Sequence, residues 1–103
     1  MERENLKINP VKITGKAILE IKNIIENKNI PQNYKLRIGI KGGVGCSGVN
    51  YIIGFDESTE FDNEFEMEGI CMIIDKRHTM FLLGVTLDFY DGADARGFKF
   101  IPR

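Results

Sequence analysis

The feature that most constrains this fold is a change in hydrophobic periodicity close to residue 35. Apolar residues before that point, from Ala17 to Ile25, recur at helical spacing. Beyond it, short runs alternate apolar and polar residues with period two, which is typical of half-buried β-strands. We therefore predict an α+β domain that is rich in strands and has one amphipathic helix near its N-terminus.

The predicted helix has recognisable ends. Thr14 can cap a helix that begins at Gly15, because a threonine oxygen can accept a hydrogen bond from the first turn. The segment from Asn27 to Pro31 contains turn-forming residues and a proline that cannot continue the helix. Leu19 falls off the apolar stripe, which consists of Ala17, Ile18, Ile21, Ile24 and Ile25.

About six strands are predicted after the helix. Two alternating runs flank a glycine-rich loop, Gly42 to Gly48, and are expected to form neighbouring antiparallel strands. An acidic hairpin that turns at Gly69, a short helix ended by Gly84 and two further strands complete the pattern. One face of each strand should be largely buried, and the residues expected there are Leu36, Ile38, Ile40, Tyr51, Ile53, Phe55, Leu87, Phe89, Phe98 and Phe100.

Composition and charge limit the class of protein. The chain has 103 residues, of which 43% are hydrophobic and 28% charged, and this balance fits one globular domain spanning residues 1–103. No apolar stretch approaches the roughly 20 residues of a membrane span, and no apolar signal region opens the sequence, so we expect a cytoplasmic location without membrane contact. With 14 basic and 15 acidic residues, the chain has no excess charge to attract nucleic acid.

Cys46 and Cys71 are the two cysteines of the chain, too few for a disulfide framework. A disulfide between them would contribute about 3 kcal/mol to stability on the chain-entropy model. A reducing cytosol keeps such thiols free, however, and we predict that both cysteines are reduced.

The glycine-rich loop and its flanking strands carry a family resemblance. The segment from Leu36 to Tyr51 resembles the A-type iron-sulfur carrier (HesB-like) family. Leu83 to Phe89 and Gly97 to Phe100 resemble the closing motifs of that family, and Gly69 to Asp75 resembles its central strand. The resemblance covers almost the whole chain and implies a compact, strand-rich HesB-like domain.

This resemblance implies binding of iron or a [2Fe-2S] cluster, transfer of that cargo to apo iron-sulfur proteins or exchange with a scaffold protein, and assembly into homo-oligomers. Three cysteines bind the cargo in the family, and the first of them matches Cys46. The other two form a Cys-Gly-Cys pair beyond the last strand, where this sequence ends at Ile101-Pro102-Arg103, and Cys71 matches neither. The resemblance therefore assigns one cofactor-binding and metal-ligating residue, Cys46, and no catalytic residue.

The number of ligands separates two hypotheses. A [2Fe-2S] cluster takes four thiolate or imidazole ligands, and one Cys46 per chain gives a dimer two of them. The remaining ligands would come from Cys71, His78, a small thiol or the recipient protein. The first hypothesis is a non-enzymatic carrier that holds iron or a cluster at Cys46, and the alternative is a HesB-like interaction module that has lost cluster binding.

Cys46 has a structural interpretation beside the functional one, as a small apolar residue in a tight loop. The surrounding glycines favour function, because they leave backbone N–H groups around the sulfur that would stabilise a thiolate. The loop lacks the Gly-Lys-Ser/Thr ending of a phosphate-binding loop, and a cysteine nucleophile with His78 as its base would have no evident orienting partner.

The remaining chemically capable residues have structural interpretations. We interpret Cys71 as a buried strand residue and His78 as a solvated surface residue. The acidic run from Asp56 to Glu68 is interpreted as the solvated face of a hairpin, with a docking surface for a basic partner as the alternative.

Overall fold

Two β-sheets and one long helix make up residues 9–42 and 49–103, the part of the chain that the computed structural model describes. One sheet has the strand order β1-β6-β7 and the other β3-β2-β5-β4. The elements in chain order are β1 (Lys12–Ile13), α1 (Gly15–Asn27), β2 (Lys35–Gly42), β3 (Val49–Asp56), β4 (Asp62–Met67), β5 (Ile70–Asp75), a 3-10 turn (Lys76–His78), α2 (Thr79–Leu82), β6 (Thr86–Asp91) and β7 (Arg96–Ile101). Within these ranges, no helix is both long and apolar enough to cross a membrane.

The strand-rich α+β architecture confirms the predicted fold class, with one strand that the sequence analysis missed. β1 has two residues and pairs in parallel with the start of β6. Two residues are too few to show an alternating pattern, which is why periodicity could not reveal this strand.

Helix α1 has the ends and the buried face that its sequence predicts. The Thr14 side chain accepts a hydrogen bond from the backbone N of Ala17 at 3.2 Å. Its hydroxyl also donates to Asp88 Oδ1 on β6 at 2.7 Å, so one side chain both caps the helix and ties it to the three-stranded sheet. Ala17 and Ile21 are fully buried, whereas Leu19 is 69% exposed.

The predicted apolar face of each strand packs into the core. Six of the ten residues are half-buried and pack against the other four, because β3 and β7 are edge strands and Ile40 lies near the end of β2. The buried four are Leu36, Ile38, Leu87 and Phe89, and the half-buried six are Ile40, Tyr51, Ile53, Phe55, Phe98 and Phe100. The face is confirmed in every strand, but the burial is shallower than expected at the edges.

The acidic hairpin β4–β5 turns at Glu68 and Gly69, with φ angles of 53° and 82°. A two-residue type I′ turn requires positive φ at both central positions, and glycine adopts it without steric cost. The turn fixes a register in which Phe65 is buried while Glu64 and Glu66 are exposed. The predicted hairpin is therefore confirmed.

Arg37 forms a charged clamp on the outer face of the four-stranded sheet, which is the face opposite the core. Its Nη1 and Nη2 donate to the two carboxylate oxygens of Asp62 at 2.8 and 2.7 Å, and its Nε donates to Asp56 Oδ2 at 3.0 Å. The hydrogen bonds from Arg37 hold the pKa of Asp62 below its ordinary value. Because Asp56 ends β3 and Asp62 begins β4, the clamp fastens both strands to β2.

A second carboxylate, Asp75 at the end of β5, is 8% exposed and is bound by Arg77. It accepts hydrogen bonds from the backbone N, Nε and Nη2 of Arg77 at 2.8, 2.9 and 2.6 Å. These bonds hold the pKa of Asp75 well below its ordinary value, although burial acts in the opposite direction. The carboxylate is therefore charged in the folded protein and caps the 3-10 turn that follows.

We expect the free energy of unfolding to fall as the solution is acidified below about pH 5. The pKa values of Asp62 and Asp75 are lower in the folded chain than their ordinary value of 3.8. Their contribution is therefore complete above that value and is lost as the pH falls toward the lower folded pKa. Urea unfolding of wild type and Asp75→Asn between about pH 3 and pH 7 measures it.

Asp75→Asn should be less stable than wild type at neutral pH and should lose part of the pH dependence. Glu66→Gln is the matched control, since Glu66 is an exposed carboxylate on β4 with no ion pair in the described ranges. An identical pH dependence in wild type and Asp75→Asn would contradict the role of this carboxylate.

Candidate functional site

The β2–β3 hairpin carries the candidate site. Its strands pair antiparallel from Lys35↔Asp56 to Gly42↔Val49, which confirms that the glycine-rich connection joins neighbouring antiparallel strands. Residues 43–48, with Cys46 among them, lie outside the described residues. The assignment of Cys46 as cargo ligand therefore stays a prediction, and the described strands β2 and β3 flank the connection that contains it.

An aromatic stack joins this hairpin to β7, close to the end that carries the connection. Tyr51 on β3 stacks on Phe100 with ring centroids 5.1 Å apart and an interplanar angle of 25°. Across the hairpin, Tyr51 pairs with Ile40 of β2. The end of β7 thus lies beside the part of β3 that follows the connection with Cys46.

The interpretation of Cys71 as a buried residue was wrong, because its thiol is exposed. Cys71 is the second residue of β5 and points to the face opposite Ile70 and Met72, which are buried in the core. The apolar run from Ile70 to Ile74 favours a strand that is buried on both faces. At its hairpin end the outer face is open, and Cys71 pairs there with the exposed Glu66 of β4.

The strand register places Cys71 far from the connection that carries Cys46. Because Leu36 pairs with Met72, Cys71 lies level with the first residue of β2, whereas the connection follows the last residue. β2 has eight residues and is therefore about 23 Å long. Cys46 is four positions beyond Gly42, a reach of at most about 14 Å, and a disulfide needs Cα atoms within about 7 Å. This geometry supports the prediction that the two cysteines stay reduced and apart.

His78 is also placed differently from its interpretation as a solvated surface residue. It is half-buried, and its Nδ1 accepts a long hydrogen bond from the backbone N of Ile40 at 3.4 Å. A Cβ at position 39 would lie only 3.0 Å from that Nδ1, so the imidazole occupies space left open by Gly39. The signal missed in the sequence was this glycine inside a strand, which marks a close approach by another group.

The acidic run is mainly a solvated face, as predicted. Glu60, Glu64, Glu66 and Glu68 are exposed, whereas the Asp62 side chain is fully buried against Arg37. The docking alternative for this face stays a prediction. Within residues 9–42 and 49–103, no three His, Cys, Asp or Glu side chains are grouped so as to hold a metal ion, so the described Cys71 and His78 do not form a metal centre with the acidic residues.

Comparison with known proteins gives the family. A model of the iron-sulphur cluster biosynthesis family matches residues 9–101. The chain belongs to this family. Among relatives in it, the uncharacterized protein SufA of Bacillus subtilis is 38% identical over 91 residues, which are 87% of this chain and 74% of that protein.

Two further proteins resemble this chain. The iron-binding protein IscA of Salmonella arizonae is 40% identical over 65 residues, which are 62% of this chain and 60% of IscA, so the match spans less than two thirds of that relative. A crystal structure of IscA with the [2Fe-2S] cluster has a TM-score of 0.74 at 21% identity and covers 89% of this chain and 84% of that one. The latter likeness establishes the fold, and the predicted HesB-like architecture is confirmed.

Proposed function

We propose that this protein is a non-enzymatic iron-sulfur carrier that holds iron or a [2Fe-2S] cluster as its cargo through Cys46. Two chains share the cargo across a homodimer and deliver it to apo iron-sulfur proteins, or exchange it with a scaffold protein, in the cytoplasm. The observation that carries the proposal is the membership of the iron-sulphur cluster biosynthesis family together with Cys46 on the connection of the β2–β3 hairpin. The name of the iron-binding relative supports iron as the cargo.

The register of the sheet restricts where the other ligands can come from. A dimer offers two Cys46 thiolates to a cluster that takes four ligands. Cys71 of the same chain lies about 23 Å from the base of the connection, so it is not a partner of Cys46 within one chain. A small thiol or the recipient protein completes the ligand set in this proposal, and such shared ligation suits a protein that releases its cargo.

Anaerobic reconstitution tests this proposal. The protein is incubated with ferric iron, sulfide and glutathione, separated by gel filtration, and assayed for iron per chain and for the visible absorption of a cluster. We expect iron to elute with a dimer at one [2Fe-2S] cluster per two chains, or at one iron per dimer without sulfide. Omission of glutathione should lower the iron content, because the small thiol supplies ligands.

The alternative function is an interaction module that has the same fold and binds no cargo. Protein that elutes without iron from every reconstitution, with or without glutathione, supports the module and rejects the carrier.

A further inference from the structure

The pairing of β2 with β5 ends before β2 reaches the connection that carries Cys46. In the described part of the chain, β5 is paired with β2 only at Leu36↔Met72 and Arg37↔Ile73. From Ile38 onward, β2 continues to Gly42 with β3 as its paired strand. Ile38 is buried and Ile40 packs against the core, so the apolar face of this part of β2 is covered. On the edge that β5 no longer pairs, a backbone N–H needs an acceptor from another group.

The imidazole of His78 lies at that edge. β5 leads into the 3-10 turn, which returns His78 to β2, where Nδ1 accepts the hydrogen bond from Ile40. Gly39 leaves the space for this approach, since a Cβ there would meet Nδ1 at 3.0 Å. His78 thus supplies an acceptor to Ile40, one residue pair before Lys41↔Asn50 and two before Gly42↔Val49.

We propose that His78 is a positioning residue that holds the end of β2, the strand that leads into the connection with Cys46, and that His78 is not a ligand of the cargo. This inference rests on the proposed function of Cys46 only where it predicts a change in the iron content of the protein.

The hydrogen bond limits how else Nδ1 can be used. The lone pair of Nδ1 accepts the hydrogen bond from the backbone N of Ile40. The same lone pair cannot bind a metal ion at the same time, so holding β2 and binding iron through Nδ1 are alternative uses of this atom.

Amide hydrogen exchange tests the support of β2. His78→Ala removes the acceptor, and exchange at the Ile40 amide should become about threefold to tenfold faster, the range expected for one hydrogen bond. His78→Asn should restore slow exchange, because its Oδ1 places an acceptor near the position of Nδ1. Gly39→Ala displaces the imidazole and should resemble His78→Ala, while Lys76→Ala, an exposed neighbour, should match wild type.

Thiol reactivity and iron content test the consequence for Cys46. In a Cys71→Ser background, alkylation of the remaining thiol by iodoacetamide should be at least about twofold faster with His78→Ala than with His78→Asn or Lys76→Ala. Iron content should fall with His78→Ala and recover with His78→Asn, with the absorption spectrum unchanged in shape.

These outcomes separate this inference from the proposed function. Protein without iron in the wild type rejects the carrier, but the exchange and alkylation rates still decide the role of His78. Equal exchange at Ile40 in wild type and His78→Ala, or equal alkylation in all variants, overturns the positioning role. An altered spectrum in iron-loaded His78→Asn would instead identify His78 as a ligand.

Discussion

Cys46→Ser is expected to lower the iron retained after anaerobic reconstitution by more than about tenfold, since loss of even an outer-shell partner of a metal ligand costs about 10- to 100-fold in affinity. A serine hydroxyl is protonated at neutral pH and does not replace a thiolate as an iron ligand. The free energy of unfolding should change by less than about 0.5 kcal/mol, as for a substitution outside the core. Iron assay and thermal melting of the same reduced samples measure both quantities.

Cys71→Ser is the matched control for this experiment. It also replaces a thiol by a hydroxyl, at an exposed position on β5 that lies level with the first residue of β2, far from the connection with Cys46. Both iron content and melting temperature should resemble those of wild type. A buried structural cysteine at position 46 would behave differently, because an unpaired hydroxyl in an apolar site costs about 1–3 kcal/mol. Unchanged iron together with such a loss of stability in Cys46→Ser would remove the carrier proposal.

Ile21→Ala is expected to destabilise the protein by about 2–5 kcal/mol, the largest effect that we predict on folding. Ile21 is fully buried where α1 packs against the core, and its truncation leaves a cavity in addition to the lost apolar burial. For a domain of this size, that loss lowers the melting temperature by about 10 °C or more. Urea unfolding with a two-state fit measures it.

Leu19→Ala provides the control on the same helix. Leu19 is two positions away and 69% exposed, so the change should cost about 0.5 kcal/mol or less. Similar losses of stability in the two variants would mean that α1 does not bury the face that the structure assigns to it.

The elements of this fold could be predicted from sequence wherever one periodic pattern decides them. The spacing of isoleucines in α1 and the alternation in β2, β3, β6 and β7 each record which face meets the core. Cys71 could not be placed in this way, because a continuous apolar run does not tell which end of a strand is left uncovered. Its exposure depends on the register between β2 and β5, which involves distant parts of the chain.

The sequence predicted the candidate site through Cys46, but it did not predict that His78 contacts the strand leading to that site. Cys46 is part of a local motif that a resemblance can identify, and its placement remains a prediction. His78 acquires its role only because the pairing of β5 with β2 ends at Ile73 and the following turn brings the imidazole to Ile40. That contact joins positions 38 residues apart, and the one feature of the sequence that indicates it is the glycine at position 39 inside a strand.

The pairing of β1 with β6 has a consequence for synthesis of the chain. Thr14, which caps α1, is bound to Asp88, a partner 74 positions later. β6 in turn pairs with β7, which ends at Ile101. Helix α1 therefore leaves the ribosome long before the sheet against which it packs, and its isoleucine face is not buried until that sheet has been made. During that interval a nascent chain exposes these isoleucines to chaperones, and the N-terminal part of the protein completes its structure only after the C-terminal part has been made.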